Sequence, residues 1–149
     1  MIPEPIAILL ADDDPDDRAL TIRALKQNRL ANNIYTVEDG EELMQFLKRE
    51  GAYPNPEHAP RPGLVLLDLN MPRKDGREAL REIKQDPSLR SIPIVVLTTS
   101  EAEQDILRSY DLGVNAFVTK PVTFEGLASA VKVITDFWFE LVRLPPLNT

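Results

Sequence analysis

Four short apolar runs in this chain each stop at a residue that can do chemistry. Leu64–Leu67 is followed by Asp68, then by Leu69, Asn70, Met71 and Pro72. Ile6–Ala11 leads into Asp12, Asp13 and Asp14, Ile94–Leu97 into Thr98, Thr99 and Ser100, and Ala116–Thr119 into Lys120 and Pro121. Apolar runs this short, without polar alternation, fit strands buried on both faces, as in a parallel sheet. In an open α/β sheet, ligands bind beyond the carboxyl ends of the strands. The pattern therefore predicts one crevice holding three carboxylates, a hydroxyl and an ammonium, a set suited to a divalent cation and a phosphoryl group.

Between the runs lie amphipathic segments. Pro15 fits a first helical position, with Asp16 and Asp17 in the first turn, where acids favour the helix dipole, and Ala19, Ile22 and Leu25 as the apolar stripe. Ile34–Val37 reads as a further strand. Helices are expected from about Glu41 to Arg49, burying Leu43, Phe46 and Leu47, and around Glu78–Gln85, facing inward with Leu80 and Ile83. Glu101–Leu112 reads as a helix stopped by Gly113, and the last helix runs from near Phe124 to about Leu144, ended by Pro145 and Pro146. The expected fold is α/β, a doubly wound five-stranded parallel sheet with five helices and an extended C-terminal helix. Residues 1–149 read as one domain, with a core at 6–144, a proline-rich surface loop at 51–63 and a C-terminal extension at 137–149.

Composition narrows the function. A net charge of −7 argues against nucleic acid, which needs clustered Lys and Arg. No cysteine occurs, which excludes thiolate catalysis, disulfides and cysteine zinc sites. No apolar stretch nears the roughly 20 residues that span a bilayer, and the first residues lack the regions of a signal peptide, so a cytoplasmic chain is expected.

Mg²⁺ takes oxygen ligands and keeps several waters, so two carboxylates plus a substrate oxygen suffice. Asp13 and Asp68 are the expected direct ligands, one ion per chain, with Asp12 acting through water and the Asn70 main-chain carbonyl completing the site. Asp14 lies past the strand end, solvated or capping the helix. Alone, Asp12–Asp17 would read as an acidic helix start. The second acidic strand end reverses that reading, because crowded like charges are costly without a cation. Most lysines are simply exposed, but Lys120 at a strand end can meet an anion bound at Asp68. Thr98 reads as a strand-end cap or, beside a phosphoryl group, a hydrogen-bond donor to it.

The segments ILLADDDPDD, LLDLNMP, VVLTTS and FVTKP resemble the receiver domain of bacterial response regulators, the CheY-like, flavodoxin-like fold, in order and over nearly the whole chain. That resemblance implies that Asp68 accepts a phosphoryl group from a histidine kinase. It implies that Asp12 and Asp13 hold Mg²⁺, that Lys120 contacts the acyl phosphate, that Thr98 moves toward it and that Phe117 turns inward. It also implies a cis peptide between Lys120 and Pro121, and it sets Asn70 and Ser100 where receivers tune dephosphorylation. The proline-rich loop, DGREALREIKQDP, SEAEQDILRSYDLG and DFWFELVRLP are similar to cyanobacterial phytochrome response regulators of the Rcp type, implying a phytochrome-type kinase acting in trans. Thr99, where many receivers carry Ala or Gly, implies narrower access, and Phe117 lacks a hydroxyl, so it would switch by ring packing alone.

Rival readings fit less well. A haloacid-dehalogenase-like phosphatase needs a second acid two residues after its nucleophile, where this chain has Asn70. A flavin phosphate would be repelled by Asp12–Asp17, and no GxxxxGKS/T motif occurs. A receiver-fold scaffold that is not phosphorylated is the remaining alternative. His58, the only histidine, lies in the proline-rich loop, so the phosphodonor is another protein. Phe137, Phe139, Val142 and Leu144 make the last helix apolar beyond the stripe of Leu127, Val131, Ile134, Trp138 and Leu141. A homodimer through that helix is expected, beside a downstream protein of unknown identity.

Overall fold

The computed structural model of the chain describes residues 6–27, 31–51, 53–55, 57–99, 102, 104, 114, 116–130 and 132. Five strands, β1 (Ile6–Ala11), β2 (Ala31–Val37), β3 (Leu64–Asp68), β4 (Ile94–Thr98) and β5 (Ala116–Thr119), pair in parallel in the order β2-β1-β3-β4-β5. β3 and β4 are buried along their whole length, which is why they carry no polar alternation. β2 lies at the sheet edge and begins three residues earlier than its apolar run, since a ladder of backbone hydrogen bonds needs no apolar side chain. Among the described residues no helix is long and apolar enough to cross a membrane.

Helix α1 spans Pro15–Gln27, with Pro15 as its first residue. Its buried residues are Thr21, Ala24 and Leu25, whereas Ala19 is exposed and Ile22 half-buried, so the expected stripe is corrected by a rotation of the helix. α2 (Gly40–Lys48) and α3 (Gly76–Gln85) each start slightly earlier than expected, at a glycine after an aspartate N-cap. The Asp39 side chain accepts the Glu42 N–H at 2.8 Å, and Asp75 forms a capping box with Glu78. Leu43, Phe46, Leu80 and Ile83 are buried, and Leu47 is half-buried against the same core.

The sheet has a core on each face. α2 and α3 cover one, with Val37, Leu43, Phe46, Leu67, Leu80, Ile83 and Val96. α1 and the helical residues 124–130 cover the other, where Ile8, Leu25, Leu66, Leu97, Val118 and Leu127 meet. The proline-rich loop is more than a surface excursion. Ala59 and Pro62 are buried, the Tyr53 ring lies 5.2 Å from Phe46, and the Gly63 N–H donates to the Ala7 carbonyl at 2.8 Å. Ala102 and Gln104 are helical, while the rest of the expected helix at Glu101–Leu112 lies outside the described residues. So do Ser100, Trp138, Phe137, Phe139, Val142 and Leu144.

Candidate functional site

Parallel register brings the strand ends to one edge. Ala11 pairs with Leu67, so the next residues, Asp12 and Asp68, emerge side by side between β1 and β3. In this strand order the winding reverses there, and the crevice opens at that point. Asp12 and Asp68 are buried and Asp13 is exposed, and one oxygen of each lies within 4.8 Å of the other two. Asp14 caps α1, accepting the N–H groups of Asp16 at 2.8 Å and Asp17 at 3.2 Å. Asp68 Oδ1 accepts the Asn70 N–H at 3.2 Å.

β5 delivers the cation. Lys120 follows the strand, its N–H donates to the Thr98 carbonyl at 3.0 Å, and its peptide bond to Pro121 is cis. The ammonium lies 2.8 Å from Asp17 Oδ2, 3.2 Å from Asp12 Oδ2 and 3.3 Å from Asp68 Oδ2. Burial pushes the Asp68 carboxyl up to about 6. Lys120 and the Asn70 N–H oppose that rise, and the Asp12 carboxylate adds to it. Burial also works against the Lys120 charge, but the hydrogen bond to Asp17 and the carboxylates of Asp68 and Asp12 outweigh it and hold the ammonium above its ordinary range. Thr98 is fully buried at the end of β4 and pairs with Thr119. Thr99 and Asn70 are exposed. Phe117 is half-buried opposite Val96, against the core under α2 and α3.

The acids outnumber the cations. Among the described residues, Asp12, Asp17 and Asp68 lie around one ammonium, Asp13 joins Asp12 and Asp68, and the Arg18 guanidinium donates at 2.8 Å to the Asp12 main-chain carbonyl. The surplus is negative, and a divalent ion would offset it. Asp12 Oδ2 is fully enclosed and, although it is 3.2 Å from Lys120, makes no well-directed hydrogen bond among the described residues. A hard oxygen-seeking cation fits that set of donors.

Two features escaped the sequence reading. Asp17 looked like an ordinary first-turn acid, and only its spacing of three from the N-cap Asp14 marks it. The loop after Asp68 is also clamped. A Cβ on Gly76 would lie 2.4 Å from the Asp68 carbonyl, and one on Gly40 would lie 2.0 Å from that of Lys74. Arg73, at φ 65°, sits 3.5 Å from Asp39. The repeated pattern, Asp39-Gly40-x-Glu42 and Asp75-Gly76-x-Glu78, was the available signal.

Comparisons with known proteins agree on one family. The family model of the response regulator receiver domain matches residues 8–132. Response regulator Rcp1 of Synechocystis sp. is 46% identical over 141 residues, covering 95% of this chain and 94% of Rcp1. The crystal structure of the phosphorylated cyanobacterial phytochrome response regulator RcpA superposes with a TM-score of 0.74 at 46% identity, over 95% of this chain and 99% of that one. The Mn²⁺-bound form of Rcp1 superposes with a TM-score of 0.72 at the same identity and coverage.

Proposed function

The chain belongs to the response regulator receiver family, and from that premise we propose how its strand-end residues accept a phosphoryl group. It is a receiver of two-component signalling, closely related to a phytochrome response regulator. Phosphatase, flavin-binding and unphosphorylated-scaffold readings are not favoured.

Asp68 is the phosphoacceptor in this proposal. One of its carboxylate oxygens bonds to the phosphorus of a kinase phosphohistidine as the P–N bond breaks, and the imidazole leaves with the electron pair and takes up a proton. Asp13, Asp68 and the Asn70 carbonyl, with Asp12 through water, would hold a single Mg²⁺, which would supply neutralisation of charge on the transferring oxygens. Lys120 donates to a phosphoryl oxygen, Thr98 closes on another, and the Phe117 ring repacks inward. Asn70 and Ser100 set access for hydrolysing water, so the chain is a phosphoacceptor with slow self-dephosphorylation rather than a catalyst for other substrates. The observation that carries the reading is the Lys120 ammonium 3.3 Å from the buried Asp68, beside Asp12 and Asp13.

The donor in this reading is a phytochrome-type histidine kinase acting in trans in the cytoplasm, and the output is a changed surface for a downstream protein. The support is the relatives' own descriptions. Residues 1–149 act as one receiver unit, and Phe137, Phe139, Val142 and Leu144 join two copies. Phosphotransfer from candidate kinases, phytochrome-type first, tests the pathway, and acid-stable label or label retained in Asp68→Asn overturns the site. Sedimentation that shows a monomer at high micromolar concentration, with and without phosphorylation, overturns the dimer.

A further inference from the structure

Among the described residues, Asp17 is the acid nearest the Lys120 ammonium, at 2.8 Å, and the only one of its three partners carried by a helix. A lysine ammonium has three N–H donors. Here it lies, among the described residues, within 3.3 Å of three carboxylates, those of Asp12, Asp17 and Asp68, and the shortest approach is to Asp17. Two of those acids also belong to the cation cluster, and Asp17 does not. Its mount is rigid. Asp14 accepts the Asp17 N–H, and the neighbouring Arg18 grips the Asp12 carbonyl, so the first turn of α1 is tied to the end of β1.

We propose that Asp17 is a positioning residue for phosphoryl transfer, acting through Lys120. It anchors the ammonium from the α1 side, at 2.8 Å, so that the charge stays 3.3 Å from Asp68 instead of swinging out of the crevice. One N–H stays aimed at Asp68, ready for an oxygen of the incoming phosphoryl group. This inference rests on Asp68 being the phosphoacceptor, and it adds a helix-borne element to the strand-end set. The competing role is that of a first-turn acid that only favours the α1 dipole, as Asp16 does.

The test is a double-mutant cycle on the full chain at saturating Mg²⁺, with acetyl phosphate as donor. In that reaction the new bond joins an Asp68 oxygen to phosphorus, the bond from phosphorus to acetate breaks, and acetate leaves with the electron pair. Asp17→Asn is expected to slow phosphorylation about tenfold, a magnitude fitting a misplaced charge. The same change in a Lys120→Ala background is expected to have no further effect, because the residue it positions is gone. Asp17→Glu recovers part of the rate, and Asp16→Asn, which removes a first-turn acid that does not reach the lysine, leaves it unchanged. Equal slowing in both backgrounds, or equal slowing by Asp16→Asn and Asp17→Asn, overturns the proposal. Label that persists in Asp68→Asn overturns the phosphoacceptor reading instead, so the two failures are distinct.

Discussion

Two ion clusters in this molecule share a plan and differ in outcome. At the sheet edge, the Lys120 ammonium sits among Asp12, Asp17 and Asp68, with a side chain only 9% exposed. On the surface between α2 and α3, the Glu82 carboxylate sits between Lys48, at 2.8 Å, and Lys74, and all three are about one-third exposed. Hydrogen bonds from Lys48 and Lys74 hold the Glu82 carboxyl below its ordinary value, with water screening the rest. That cluster closes on itself and stabilises little, as exposed pairs do. The Lys120 cluster is desolvated and keeps surplus negative charge, so it is complete only with something added. The difference lies in burial and charge balance, not in the number of contacts.

The strongest way to break this contrast is Asp68→Asn. It is expected to abolish phosphate uptake entirely in a radiolabel assay, since an amide is a poor nucleophile. It should also raise the melting temperature of chelator-treated protein, because it removes a crowded buried charge, whereas loss of a charge from the surface cluster should lower it. Next, Asp13→Ala is expected to abolish Mg²⁺ binding in calorimetry while the fold survives, as Asp13 is exposed. Undiminished phosphotransfer in excess chelator would contradict the metal site.

Lys120→Ala sharpens the comparison. It leaves buried carboxylates facing one another, and a loss of about 3 kcal/mol is expected in denaturant melts without metal, with Mg²⁺ restoring much of it. Mg²⁺ binding survives, but phosphorylation no longer changes partner binding. The smallest effect belongs to Glu82→Gln, at roughly 0.5 kcal/mol near neutral pH, with phosphorylation untouched. The folded-state value of Glu82 is depressed, so its contribution is present above the unfolded-state value and fades as pH falls through the folded one. Melts of wild type and Glu82→Gln should therefore converge in acid.

The strands were legible because β3 and β4 are buried throughout, and burial on both faces leaves an unbroken apolar run. The placement of Asp12, Asp68, Thr98 and Lys120 at strand ends was legible for a related reason, since parallel strands put their ends on one edge. Helices were read less well. α1 turns Thr21 and Ala24 inward and leaves Ala19 and Leu20 exposed, and periodicity alone did not fix that rotation. α2 and α3 begin at glycines that close approach requires and helix propensity disfavours. Asp17 was missed because its partner lies far along the chain, just past β5, and local acid placement already had a sufficient explanation. The apolar tail beyond Lys132 lies outside the described residues.

Gly40 makes the start of α2 a mechanical stop for the loop that follows Asp68. The Lys74 carbonyl already fills the space a Cβ would take, so that loop cannot advance toward α2 without pushing the helix ahead of it. The loop and the start of α2 are thus seated backbone on backbone, and any side chain larger than hydrogen at position 40 would wedge them apart.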